Sequence, residues 1–199
     1  RQYDEEGTDE LFSYFGDVCF QFTLEDAIGK CLTPYDYHVN FVELTVDEMT
    51  EWQELTERIL PMVWKINSGI KDDFLANLLR QRRLVLETAI FKMESLAKLL
   101  DGEDLKHLRY TLIYTTDKDP SQLEQVNDFL NARGLLFHQL TEEETRSREK
   151  TSKILSSFQD GQLQILTAKR VLDEGVNIPQ IKKAFILAST TVKRQWVQR

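Results

Sequence analysis

A polar, glycine-containing stretch at residues 167–179 holds the residue types in this chain that are best suited to chemistry. It lies between two short apolar runs, residues 163–166 and 184–188, which are typical of buried strands. Polar loops at the carboxyl ends of strands often bind ligands in α/β sheets, so this stretch is the first candidate site. A glycine there lets the backbone approach a ligand closely, and polar neighbours supply hydrogen-bonding groups. The residues concerned are Asp173, Glu174, Gly175 and Asn177.

Composition excludes several classes of protein. The 199 residues carry a net charge of -8, and no apolar run approaches the length of about 18 residues that a membrane helix needs. With Cys19 and Cys31 as the two cysteines, we expect a reducing, cytoplasmic location rather than a disulfide scaffold. The three histidines (His38, His107 and His138) are dispersed without ligand spacing, so no metal site is expected.

Alternating strand and helix patterns from residue 108 onward predict the fold class. Strands are expected at residues 110–114, 135–138, 163–166 and 184–188. Pro120 favours the first turn of the helix after the first strand. Such alternation with short connections predicts an α/β protein with a parallel sheet and helices on both faces.

The segment before this sheet has a different pattern. Thr45 and Glu48 have the spacing of a capping box, which predicts the start of a long helix. A second helix is expected over residues 74–100, so the two would form an inserted helical hairpin at about residues 46–100. The earlier elements expected are a strand at 18–22, a brief helix capped by Thr23 and a strand at 37–44.

Residues 165–179 resemble motif V of the superfamily-two helicases and translocases, in particular the repair translocases of the xeroderma-B type and the motor subunits of restriction systems. Gln198 and Arg199 resemble the opening of motif VI, within which the chain stops. The order of Phe15-Gly16, residues 24–28 and Pro34-Tyr35 resembles the crossing between the two RecA-like lobes of that family.

The resemblance implies a domain organisation. Residues 1–35 would be the tail of a first RecA-like lobe and the linker between the lobes. Residues 36–199 would be the second RecA-like lobe, with the helical insertion near its start and a truncation within motif VI. The chain would then be a fragment of a larger motor.

The resemblance also implies contacts to a nucleic-acid backbone from hydroxyl groups at strand ends. Hydroxyls at the ends of three neighbouring strands would follow one strand by its phosphates, so binding would depend on salt and be nearly indifferent to sequence. An ordinary turn explains the two threonines after the first strand equally well. The implied nucleic-acid-binding residues are Thr115, Thr116, Thr141, Thr167, Lys169 and Arg170. The last two could instead pair with the neighbouring acidic residues.

The resemblance also implies that motif V forms one wall of an ATP cleft, on the side away from the nucleic acid. Asp173, Glu174, Gly175 and Asn177 would face the nucleotide, with Gln198 and Arg199 beginning the motif that completes the cleft. The sequence holds neither a Gly-x-x-x-x-Gly-Lys-Ser/Thr loop nor the acidic pair that holds magnesium in this family. ATP and Mg²⁺ are therefore expected as cofactors of a full-length protein, and this fragment alone is expected to bind neither and to be inactive.

The implied function is that of an ATP-dependent helicase or translocase whose partners are a nucleic acid and the first lobe of its own chain, with no membrane. DNA is favoured over RNA because residues 171–175 resemble the repair and restriction branch. An RNA helicase is the alternative within this class. A non-catalytic nucleotide-binding or protein-interaction α/β domain would explain the alternating strands, but not motif V followed by Gln198 and Arg199.

Overall fold

The computed structural model describes residues 5–31, 34–116, 120–169, 178 and 180–188. The chain divides into two compact units, Arg1–Asn40 and Phe41–Arg199. The domain boundary expected between residues 35 and 36 stays a prediction, because compactness does not say to which lobe of a larger protein a segment belongs.

The described residues of the first unit include two helices, α1 (Glu5–Phe15) and α2 (Leu24–Ala27). Thr23 caps α2 as expected, since its Oγ1 accepts a hydrogen bond of 3.1 Å from the backbone N–H of Asp26. The strands expected at residues 18–22 and 37–44 are wrong, because both segments are irregular. A strand needs a neighbouring strand to hydrogen-bond with, and among the described residues neither segment belongs to the sheet.

The second unit begins with a helical hairpin. It consists of α3 (Val46–Ile59), a 3-10 turn (Leu60–Met62), α4 (Val63–Asn67) and α5 (Asp73–Glu87). The expected capping box is confirmed: Glu48 N donates to Thr45 Oγ1 over 3.2 Å, and Thr45 N donates to Glu48 Oε2 over 2.8 Å. The hairpin has its own apolar cluster, formed by Leu55, Ile59, Leu75, Leu78 and Val85.

The single helix expected over residues 74–100 is wrong, because it is broken after Glu87 into α5 and α6 (Phe91–Asp101). Thr88 leaves the helical backbone region at φ -105° and ψ 9°, and its hydroxyl donates to the carbonyl of Leu84 over 2.9 Å. The break redirects the chain, so α6 packs on the sheet rather than on α3. Its Leu96 and Leu100 belong to the apolar cluster of the sheet.

The remainder is the expected parallel sheet. Its strands are β1 (Thr111–Tyr114), β2 (Phe137–Leu140), β3 (Ile165–Ala168) and β4 (Lys183–Ile186), and the helices between them are α7 (Pro120–Ala132), α8 (Glu142–Thr145) and α9 (Arg148–Gln159). The strand order is β2-β3-β1-β4, and every pair is parallel. Parallel strands need crossover connections: α7 supplies the one from β1 to β2, and α8 and α9 supply the one from β2 to β3.

Helices cover both faces of this sheet. On one face, Ile113 and Ile165 pack against α6 and α7. On the other, Leu112 and Leu166 pack against Phe158 of α9. The side chains of β1 and β3 are buried throughout, as expected for central strands covered on both sides.

Candidate nucleic-acid and nucleotide interface

The four strands end at the same level, which defines one carboxyl edge of the sheet. Tyr114 is the register partner of both Ala168 and Ile186, and Leu140 is the partner of Ala168. The residues that follow these four ends therefore share one edge. They are Thr115 after β1, Thr141 after β2, Lys169 after β3 and Leu187 after β4.

Thr167 does not follow its strand, because β3 extends to Ala168 rather than ending at residue 166. Thr167 is fully buried, and its Oγ1 donates to Oδ1 of Asn127 on α7 over 2.9 Å. The position level with Thr115 and Thr141 belongs to Lys169, which is partly exposed. The expected row of three hydroxyls thus becomes two threonines and one lysine.

The two threonines after β1 turn their hydroxyls inward. Thr115 is fully buried, and both its backbone N–H (2.9 Å) and its hydroxyl (3.4 Å) donate to the carbonyl of Ala168. The hydroxyl of Thr116 donates to Oε2 of Glu87 over 3.0 Å, and its backbone N–H donates to Oε1 of Gln122 over 2.9 Å. These contacts hold the end of β1 against its neighbours.

Thr141 directly precedes the short helix α8 and is hydrogen-bonded to Glu144 within it. Its backbone N–H donates to Oε2 of Glu144 over 2.8 Å, and its hydroxyl donates to the same oxygen. Burial works to raise the pKa of Glu144, but the hydrogen bonds from Thr141 and Gln139 outweigh it and hold that pKa below its ordinary value. The Thr-x-x-Glu spacing at residues 141–144 is a signal that could have identified this pair from the sequence.

A chain of side-chain hydrogen bonds connects Thr167 to Thr141 through Asn127, Gln139 and Glu144, none of which is among the predicted site residues. Asn127 Nδ2 donates to Gln139 Oε1 over 3.1 Å, and Gln139 Nε2 donates to Glu144 Oε1 over 3.3 Å. With the bond from Thr167 to Asn127, every donor points towards Glu144. A chain of this kind is polarised by the carboxylate at its end, so it fixes the orientation of each amide.

The expected residues of the ATP cleft lie outside the described residues. This applies to Asp173, Glu174, Gly175, Asn177, Gln198 and Arg199, and also to Arg170 of the expected nucleic-acid-binding set. The fit of ATP to this chain therefore stays a prediction. Throughout the described ranges, no group of three potential metal-ligating side chains occurs.

No helix within the described residues is long and apolar enough to cross a membrane.

Comparison with known proteins identifies the family. Residues 91–199 match the family described as the helicase conserved C-terminal domain, which is more than half of the chain. The chain is also 24% identical, over an alignment of 210 residues, to a protein of Sulfurisphaera tokodaii named DNA 3'-5' translocase XPB2. That alignment covers 98% of this chain and 46% of the relative, so the chain spans about half of the relative's length.

Solved structures agree on the fold. The crystal structure of the C-terminal part of the Fun30 ATPase domain superposes with a TM-score of 0.60 at 12% identity, covering 83% of this chain and 79% of that one. The C-terminal domain of a Sulfolobus solfataricus SWI2/SNF2 ATPase gives a TM-score of 0.52 at 12% identity, covering 72% of this chain and 68% of that one. The fold is thus RecA-like, and the chain belongs to the helicase conserved C-terminal domain family of the superfamily-two helicases and translocases.

Proposed function

We propose that the full-length protein is an ATP-dependent DNA helicase or translocase, in which this chain supplies nucleic-acid backbone contacts and one wall of the ATP cleft. The observation that carries this proposal is the family match over residues 91–199, which contain the whole parallel sheet. DNA is the proposed nucleic acid because the curated relative is named a DNA translocase.

The proposed nucleic-acid contacts divide into two kinds according to their exposure. Lys169 lies at the carboxyl edge with a partly exposed side chain, so we propose that it contacts phosphates directly. Direct phosphate contact is also proposed for Arg170, on the resemblance to motif V alone. Thr115, Thr116 and Thr167 are buried, so we propose that they act by holding the strand ends in place. Direct contact from their hydroxyls would require them to leave their present partners.

Thr141 is intermediate between these two kinds, because it is half-buried. Phosphate oxygens accept hydrogen bonds but donate none, so a hydroxyl must donate its proton to contact them. The Thr141 hydroxyl donates to Glu144 in this structure. We therefore propose that Thr141 contacts a phosphate after exchanging Glu144 for it, which the half-buried position of Thr141 permits.

ATP and Mg²⁺ would be held between this lobe and the first lobe in the full-length protein. The proposed cleft residues of this chain are Asp173, Glu174, Gly175, Asn177, Gln198 and Arg199. When bound, ATP would supply the phosphoryl group that is transferred. This chain would contribute backbone and side-chain groups beside it. Because these 199 residues lack a phosphate-binding loop, we propose that the chain alone does not hydrolyse ATP.

The test uses the full-length protein with and without Lys169→Ala. The substitution should weaken single-stranded DNA binding for all sequences alike and lower the slope of log K against log salt by about 1, the change expected on losing one phosphate contact. Lys98→Ala is the matched control, because Lys98 is 73% exposed and lies near the end of α6, away from the carboxyl edge. A wild-type protein without nucleic-acid-stimulated ATPase would overturn the proposed function. Stimulation by RNA but not by DNA would assign it to RNA instead.

A further inference from the structure

The helical hairpin, residues 46–87, has an apolar cluster separate from those of the sheet. Its apolar side chains form a cluster between α3 and α5, while those of α6, α7 and α9 belong to the two clusters on the faces of the sheet. The family match begins at residue 91, four residues after the last residue of the hairpin. How the hairpin is attached to the sheet therefore decides whether it can influence the site at the carboxyl edge.

A closed ring of buried hydrogen bonds makes this attachment. Glu87, the last residue of α5, is 6% exposed, and its Oε2 accepts the bond from the Thr116 hydroxyl at the end of β1. Gln122 of α7 closes the ring: its Nε2 donates to the carbonyl of Glu87 over 2.8 Å, and its Oε1 accepts from Thr116 N over 2.9 Å. The hairpin, β1 and α7 are thus joined at one point.

Two charged side chains, those of Arg83 and Lys92, also donate hydrogen bonds to Glu87. Arg83, one turn before Glu87 on α5, donates from Nε to Oε1 of Glu87. Lys92, at the start of α6, donates from Nζ to the carbonyl of Glu87 over 3.1 Å and to the carbonyl of Leu187 over 2.6 Å. Burial lowers the pKa of Lys92, while the negative charge of Glu87 acts in the opposite direction. Since Leu187 directly follows β4, this lysine extends the attachment to a second strand end.

The other helix of the hairpin, α3, is also attached to residues 87–92, the junction where α5 ends and α6 begins. Glu48 caps α3 with one carboxylate oxygen, and its Oε1 accepts a hydrogen bond of 2.9 Å from the backbone N–H of Ile90. Both helices of the hairpin are therefore connected to residues 87–92. A carboxylate is costly to bury unless it is paired and hydrogen-bonded, so Glu87 holds its partners to a narrow geometry.

We propose that Glu87 is a positioning residue that couples the helical hairpin to the carboxyl ends of β1 and β4, with Lys92 as its support. A displacement of α5 would move Thr116 and Leu187, which border the edge where nucleic acid and nucleotide are proposed to bind. The hairpin would thus act on turnover through this junction rather than by contacting ATP. This inference rests on the proposed motor function.

The test compares full-length wild-type protein with Glu87→Gln. The amide keeps the size of the side chain but removes the charge that pairs with Arg83 and holds Thr116. We expect basal ATPase, the KM for ATP and the Kd for DNA to stay within about twofold of wild type, while DNA-stimulated kcat falls at least about tenfold. Glu94→Gln is the matched control, because Glu94 lies on α6 with its side chain 55% exposed and should leave all four quantities unchanged.

A second pair of variants tests the inference even if Glu87→Gln does not fold. Thr116→Val removes the hydroxyl that Glu87 accepts, whereas Thr116→Ser retains it. Loss of DNA stimulation in the valine variant and its recovery in the serine variant would support the coupling. Equal DNA stimulation in wild type and in a folded Glu87→Gln or Thr116→Val variant would overturn it. A wild type that DNA does not stimulate would instead contradict the proposed function.

Discussion

The hydroxyl of Thr167 donates to Oδ1 of Asn127 over 2.9 Å, so a residue of the motif V-like stretch is tied to the helix that follows β1. Asn127 in turn donates to Gln139 on β2. Thr167 therefore acts within the sheet, and the position facing outward from the end of β3 belongs to Lys169. The carboxyl edge is organised by side chains of α7 and α8 as much as by the strand ends themselves.

Removing the Thr167 hydroxyl should be more costly than its small volume suggests. Thr167→Val leaves Oδ1 of Asn127 without its donor, which should lower the free energy of unfolding by about 1–3 kcal/mol. Urea unfolding of the chain measures this change. Thr167→Ser keeps the donor and should lose less. In the full-length protein, we expect Thr167→Ala to lower nucleic-acid-stimulated ATPase more than basal ATPase, and equal losses would contradict a role at the nucleic-acid edge.

Glu144→Gln should strengthen nucleic-acid binding by the full-length protein if Thr141 contacts a phosphate. The carboxylate occupies the Thr141 hydroxyl and repels a nearby phosphate, so its removal should tighten binding about threefold at low salt and less at high salt. Binding titrations at two salt concentrations measure this. Glu149→Gln is the control, because Glu149 is 78% exposed and pairs with Lys153 along α9. Weaker binding by Glu144→Gln would mean that Glu144 serves to position Thr141.

Glu48 should make stability depend on pH. Burial works to raise the pKa of Glu48, but hydrogen bonds from Thr45 and Ile90 outweigh it and lower that pKa below its ordinary value of 4.5. A lowered pKa in the folded state means that the stabilisation is present above the unfolded value and is lost as the pH falls through the folded one. The difference in free energy of unfolding between wild type and Glu48→Gln should therefore shrink on acidification.

Urea unfolding at about pH 7 and about pH 4 checks this prediction. Glu51→Gln is the control, since Glu51 is exposed on the same helix and no hydrogen bond to Ile90 involves it. A difference between wild type and Glu48→Gln that stays constant over this pH range would show that the ionised form of Glu48 does not hold the junction.

Local sequence determined the elements whose signals are complete within a few residues. The capping box of Thr45 and Glu48, the cap at Thr23 and the helix that begins at Pro120 are all confirmed. The alternation after residue 108 predicted the parallel α/β class, because apolar runs and helical periods are properties of a short segment.

Tertiary structure decided where the strands end and what their ends contact. The ladder between β1 and β3 carries β3 on to Ala168, which buries Thr167 and brings Lys169 to the edge. The break after Glu87, which the helical period did not predict, separates the hairpin from the sheet and creates the junction with Thr116. Hydrogen-bond partners such as Asn127 and Gln122 lie far from these threonines in sequence or on another element. Their pairing depends on how the elements pack, which no local pattern encodes.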